Sequence, residues 1–182
     1  MIVLASASPR RKELITLISN DVLVHPSDVD ETVPENMNAE AVPEFLAVKK
    51  AAAVAKEFPL DTVIGSDTSV IVDSVILGKP ENREDAKRML TMLSGKTHKV
   101  ITGCAVFKNG KSASFSEVTE VKFHKLSDEE IENYLDKNEY ADKAGAYGIQ
   151  GYASLLIEGI NGDYFNVVGL PVSRLNRLLK RF

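Results

Sequence analysis

Asp67 is the residue of this chain that most needs a reason. It lies in the run VIGSDTSVIV, with apolar residues on both sides and only Ser66 and Thr68 as polar neighbours. An unpaired carboxylate in an apolar strand is costly. Two accounts fit. Asp67 is either a bulge residue bonded to nearby backbone, or a carboxylate placed to take a proton from water or to hold a divalent cation. Glu31, in the acidic segment SDVDET, could supply a second metal carboxylate or simply be solvated. Lys49 and Lys50 lie on a helical segment. Lys79 sits in LGKP, between a glycine and a proline, where a rigid turn could aim an ammonium at a phosphate.

The opening IVLASASPRRKEL adds serines and arginines at a strand-to-helix junction. Ser8 can cap the helix, with Pro9 at its first position, where a missing N–H costs nothing. A helix N-terminus favours anions, so Arg10 and Arg11 are ill-placed there unless they reach solvent or help to bind something negative. Surface snorkelling and a phosphate site are both consistent with this segment alone. None of these patterns is a Walker A loop, a dinucleotide fingerprint or a zinc motif.

The elements that must position these residues alternate between strand and helix. A first strand over Ile2 to Ala5 leads into the helix RRKELITLI, and DVLVH follows as a short strand before the acidic loop. PEFLAVKKAAAVAKEF has helical spacing. TVIGSDTSVIVD is a strand that pairs back with VILG through an Asp-Ser turn. Asn82 caps REDAKRMLTML, and Asn109-Gly110 joins two strands as a hairpin. Ser127 and Glu130 form a capping box ahead of DEEIENYLDKN. KAGAYGIQGYASLLIEGINGDYFNVVG reads as a glycine-rich loop, a strand and a turn. The closing helix is PVSRLNRLLKRF. The class is α/β with a mixed sheet.

Composition narrows the function. A length of 182 residues suits one domain with a full core, and the net charge of −4 argues against broad nucleic-acid or anionic-membrane binding. One cysteine, Cys104, excludes an intrachain disulfide and a thiolate zinc cluster. Its apolar strand, VITGCAVF, suggests an inert buried thiol. No stretch approaches the roughly 20 apolar residues needed to cross a bilayer, and the N-terminus does not read as a signal peptide. The expected location is cytoplasmic.

In order along the chain, LASASPRRKEL, DET, LAVKKAAAVA, VIGSDTSVIVDSVILGKP, LSGKTHKVITG and DKAGAYGIQG resemble the Maf family of nucleoside triphosphate pyrophosphatases. The resemblance runs from Ile2 to beyond Gly151. It implies one domain over 1–182, with a fold like that of inosine triphosphate pyrophosphatases: a long mixed sheet with helices, and two lobes around a central cleft. By the same resemblance Asp67 is the catalytic base, Glu31 the acidic-loop glutamate and Lys79 the Gly-Lys-Pro lysine. The helix lysine falls on Lys50 or, less well, on Lys49. Ser6, Ser8, Arg10 and Arg11 would cradle the triphosphate. Arg10, Thr68 and Gln150 fall on the positions that separate substrate subgroups, and their combination resembles the subgroup acting on dTTP and UTP. Asp67 and Glu31 would hold Mg²⁺ or Mn²⁺. Ser66 and Asp142 are read as standing apart from the chemistry. The resemblance allows a homodimer and a house-cleaning role linked to cell-division arrest. The alternative is a non-enzymatic regulator of septum formation acting through a protein or nucleic-acid partner.

Overall fold

The computed structural model describes all 182 residues. Strand β1 (Ile2–Ala5) feeds helix α1 (Pro9–Ile15), and β2 (Val22–Val24) follows. After the acidic loop come α2 (Val42–Ala55), β3 (Thr62–Val72), β4 (Val75–Leu77) and α3 (Arg83–Leu93). The long hairpin of β5 (Thr97–Lys108) and β6 (Lys111–Phe123) leads to α4 (Asp128–Leu135), β7 (Ile157–Asn161), α5 (Tyr164–Val168) and α6 (Val172–Leu179). All seven strands form one mixed sheet in the order β2-β1-β3-β5-β6-β7, with β4 added to the end of β3. Only the β1 pairings are parallel.

The local signals act as their chemistry requires. The Ser8 side chain accepts from the Arg11 N–H, Asn82 accepts from Asp85, and the Ser127–Glu130 capping box is complete. Asn109 and Gly110 take positive φ values of 50° and 73°, as a tight hairpin turn of this kind demands. Two expectations need revision. Helix α1 stops at Ile15, short of Ile18, and continues only as turns. The segment read as a turn, YFNVV, is the short helix α5, capped by Asp163 and ended by Gly169 at φ 130°. Five residues are too few to display a helical period.

One feature of the sheet creates the site. Strand β1 pairs with β3 only as far as Ala5 and Gly65, and β4 begins its pairing at Val70. Strand β5 pairs with β3 without interruption from Val63 to Ile71. Ser66 to Ser69 are therefore paired on one side and open on the other. The buried core divides at the same place. Leu4, Ile15, Ile64 and Leu175 pack on one side of this notch, with Val3, Ala47, Ala51 and Val63 packed beneath α2. Val70, Leu90, Phe123, Leu135 and Tyr147 pack on the other. The result is two lobes on one continuous sheet, with a cavity of about 750 Å³ between them.

Helix α2 lies directly on the sheet because Gly65 and Gly103 let it. A Cβ at Gly103 would come within 2.3 Å of the Pro43 carbonyl group and the Glu44 nitrogen. One at Gly65 would lie 2.3 Å from the Ala47 carbonyl oxygen. These obstacles are backbone and cannot swing aside. Gly103→Ala should therefore cost at least about 2 kcal/mol of stability. Urea denaturation of the variant beside the wild type measures this, and an unchanged midpoint would show that α2 can lift from the sheet freely.

Candidate active site

The cavity collects residues that are far apart in sequence. Its wall includes Ser6, Ser8, Arg10, Arg11, Glu31, Lys50, Asp67, Thr68, Lys79 and Gln150, the full set of site residues expected from the sequence. Lys49 is not among them. Its ammonium reaches the Thr32 carbonyl at 3.4 Å, whereas Lys50 points to the notch.

Lys50 organises the acidic side. Its Nζ lies 2.7 Å from Asp67 Oδ1 and 3.1 Å from Glu31 Oε1. The Lys50 and Asp67 side chains are only 12% and 15% exposed, so this pair is more than a solvated surface bridge. Asp67 has its explanation here: the α2 lysine partners its carboxylate, while the missing β1 backbone leaves it open to the cavity.

Arg11 crosses the notch on the other face of β3. Its Nε donates to the Gly169 carbonyl at 2.8 Å, Nη1 to Ser6 Oγ and the Ser66 carbonyl, and Nη2 to the Thr68 hydroxyl at 2.9 Å. Four of its five N–H donors are thus committed within the protein. Burial pulls its pKa down, partly opposed by Asp67; a guanidinium stays charged in proteins. Arg11 is a fixed positive strut that joins α1, β3 and the turn before α6.

Arg10 projects the other way. Its Nη1 bonds Asp142 Oδ2 at 3.1 Å, and Asp142 also accepts from Lys143. Burial works to raise the Asp142 pKa, but the bonds from Lys143 and Arg10 prevail and lower it. Lys79 is exposed, follows Gly78, and makes no ion pair or hydrogen bond within the chain. Its turn is held by the Gly145 N–H donating to the Gly78 carbonyl at 3.0 Å.

Every residue from Asp142 to Gly151 except Gly145 and Ala146 lines the cavity, and Gln150 is exposed there with no hydrogen bond to the protein. The loop rests on a buried aromatic cluster in which Tyr147 Oη and His98 Nε2 are 2.6 Å apart, with Phe123 edge-on to both rings.

A search against family models matches residues 1–182 to "Maf: Maf-like protein". The chain belongs to the Maf-like family. Among curated proteins, it is 49% identical to a "dTTP/UTP pyrophosphatase" of Bacillus cereus (strain G9842) over 181 residues, covering 100% of this chain and 95% of the relative. A protein of the same name from Pyrococcus abyssi is 49% identical over 180 residues, covering 99% of this chain and 95% of its own. Among solved structures, a HAM1 protein from Coxiella burnetii matches with a TM-score of 0.55 at 15% identity, over 100% of this chain and 98% of that one. The Staphylococcus aureus Ham1 protein matches with a TM-score of 0.51 at 19% identity, over 67% and 71%. Those likenesses show the fold, a mixed-sheet α/β architecture shared with the HAM1 proteins.

One expectation for this Maf-like protein is revised by the geometry. Asp142 does not stand apart from the candidate site: it lines the cavity and holds Arg10. Ser66 meets Arg11 only through its backbone carbonyl, which any residue would offer. Several cavity-wall and supporting residues were not singled out from the sequence: Tyr147 and Lys143, although both lie in the motif DKAGAYGIQG, and Thr102 and Asn166 behind Thr68. Thr102 stands among apolar residues in VITGCAVF, so strand alternation against that background was the one available clue. Cys104 is buried and its thiol is pushed up to about 12, as an inert core cysteine should be.

The chain contains no cluster of three side chains able to hold a metal. Asp67 and Glu31, converging on one ammonium, instead match the mode in which Mg²⁺ takes one or two carboxylates together with substrate phosphates.

The loop support has a pH signature. Burial lowers the His98 pKa from 6.5 to about 4. Between those values the unfolded chain binds the proton and the folded chain does not, so stability must fall as pH drops through that window. The loss should approach roughly 3 kcal/mol at the acid end. Urea titrations from pH 7 to 4 should show this loss in the wild type and a flatter profile in His98→Gln. Parallel profiles would mean that His98 takes up its proton as readily in the fold as in the unfolded chain.

Proposed function

We propose that this protein is a nucleoside triphosphate pyrophosphatase that hydrolyses dTTP and UTP to the monophosphate and pyrophosphate. The observation that carries the reading is the Asp67–Lys50–Glu31 cluster at the open edge of β3, facing a cavity lined with further cations. The names of relatives 49% identical over the full chain supply the substrate class.

The chemistry asks for position and charge more than for covalent work. Asp67 orients a water at the α-phosphorus and takes its proton as the new P–O bond forms. The bond to the bridging oxygen breaks, and pyrophosphate leaves with the electron pair. Lys50 keeps the Asp67 carboxylate aligned until phosphate oxygens compete for the ammonium. Lys79 is free to meet the leaving group as a point charge, and Arg10 keeps donors beyond its Asp142 bond. Arg11, with most donors committed, contributes a fixed positive charge and holds Ser6 in place. Mg²⁺ or Mn²⁺ held by Asp67, Glu31 and substrate oxygens would neutralise phosphate charge and acidify a bound water. The reading places the enzyme in the cytoplasm, with no membrane or stable nucleic-acid partner. No helix is long and apolar enough to cross a membrane.

Pyrophosphate release from a panel of nucleoside triphosphates, with Mg²⁺, Mn²⁺ or chelator, tests the whole reading. Turnover of dTTP and UTP well above ATP and GTP is expected, with loss in chelator. Asp67→Asn should fold normally and lose at least tenfold in kcat, equivalent to ~1.4 kcal/mol of barrier. Retention of more than about a tenth of wild-type kcat would remove Asp67 from the catalytic role.

Gln150 makes the base assignment testable. A pyrimidine imide presents two carbonyl acceptors flanking an N–H donor, which an amide can meet with both its groups. Gln150→Glu replaces the amide donor with an acceptor and should reduce kcat/KM for dTTP and UTP more than tenfold, with purine activity little changed. Equal losses on every nucleotide would assign Gln150 to the loop or to the phosphates.

A further inference from the structure

The Asp67 and Glu31 carboxylates already have a cation of their own. Lys50 Nζ lies 2.7 Å from Asp67 Oδ1 and 3.1 Å from Glu31 Oε1, so one ammonium bridges both acids. Neither carboxylate has another partner in the chain. A divalent cation shared by the two acids would compete with that ammonium for the same oxygens.

Lys50 is not free to swing aside. Its side chain is only 12% exposed. The helix that carries it is held to the sheet where Ala47 and Ala51, which flank Lys50, pack against Gly65. Departure of the ammonium would strand the half-buried Asp67 carboxylate without a partner, which is strongly unfavourable. A metal arriving alone finds little in exchange. The chain offers no set of three acidic, histidine or cysteine side chains around it, and Mg²⁺ gives up its water reluctantly. The cavity is also net positive, since Arg10, Arg11, Lys50, Lys79 and Lys143 outnumber the four carboxylates of its wall.

We propose that Lys50 is a resident counter-ion that excludes divalent metal from the ligand-free protein, so that Mg²⁺ or Mn²⁺ enters only together with the nucleotide. A nucleoside triphosphate supplies the missing oxygen ligands and reverses the local charge in one step. Its phosphate oxygens also give the Lys50 ammonium new acceptors, which releases the two carboxylates. The binding order is thereby fixed: free metal does not prime the site. The inference rests on the nucleoside triphosphate reading and adds to it the order of assembly.

Mn²⁺ binding to the ligand-free protein, followed by loss of the free-ion EPR signal, tests it. The wild type should bind with a Kd above about 1 mM. Lys50→Met keeps the stem, removes the charge and should tighten binding at least ~10-fold. Adding Asp67→Asn to Lys50→Met should abolish that gain, which places the ion at these carboxylates. Lys79→Met removes a cation of the same cavity that touches neither acid, and should change the Kd less than about threefold. Equal gains in the Lys50 and Lys79 variants, or no gain at Lys50, overturn the proposal. The wild type gives a further measurement that needs no variant to fold. Mn²⁺ at about 0.1 mM, well below the expected Kd, should leave the Asp67 amide resonance sharp in the ligand-free protein and broaden it once α,β-methylene-UTP is added. Broadening before the nucleotide is added overturns the proposal as well. Failure of α,β-methylene-UTP to bind, with or without Mn²⁺, would instead sink the nucleotide reading itself.

Discussion

A β-strand edge exposes backbone groups that must find partners or stay open to solvent. Strand β3 has such an edge from Ser66 to Ser69, because β1 ends at the Gly65 pairing and β4 starts at Val70. The rest of the site depends on how this gap is managed. A third strand would have sealed it and buried Asp67 among backbone groups. Here the Arg11 guanidinium takes the Ser66 carbonyl in place of a strand and leaves room beside it. Because side chains alternate along a strand, Asp67 turns to the α2 face and Thr68 to the α5 face. The open edge lets one cavity reach both.

The electrostatics follow from that geometry. Lys50 faces two carboxylates, Arg10 and Lys143 share Asp142, and Arg11 is tied to neutral oxygens. These charges are arranged before any ligand arrives, which limits the reorganisation a bound anion would require. Lys79 alone among the expected cations has no partner in the chain, and its glycine–proline turn holds it at the rim. Its freedom and the partnering of Lys50 suit different tasks: one cation can follow a departing anion, and the other keeps a carboxylate in line.

The cavity also joins two kinds of support. The α2 side is set by close backbone contact, with Gly65 and Gly103 admitting the helix and its small residues Ala47 and Ala51 fully buried beneath it. The Gln150 side is a loop with few regular hydrogen bonds, steadied by Tyr147 against His98 and by Gly145 at φ 70° packed against Val70. A rigid sheet face on one side and a shaped connecting loop on the other thus frame the cavity.

Much of the molecule was legible in the sequence by itself. Apolar runs and turn residues marked the strands, and caps at Ser8, Asn82 and Ser127 marked helix starts, because these signals act over a few neighbouring residues. A carboxylate interrupting an apolar strand identified Asp67, and the ordered set of motifs identified its family and candidate companions. Tertiary structure decided what depends on contacts between distant segments. It chose Lys50 over Lys49, since only the packing angle of α2 on the two glycines tells which lysine faces β3. It turned Arg11 from a free phosphate ligand into a strut, because the acceptors at Gly169, Ser66 and Thr68 come together only when α5, β3 and α1 meet. It brought Asp142 to Arg10 across 132 residues of chain. The contact of the Thr68 and Thr102 hydroxyls belongs to the same class, for it leads to a backbone carbonyl at Asn166 that no local pattern connects to Thr68. Residue type states which bonds a side chain can make, and only the fold determines which of them are already taken.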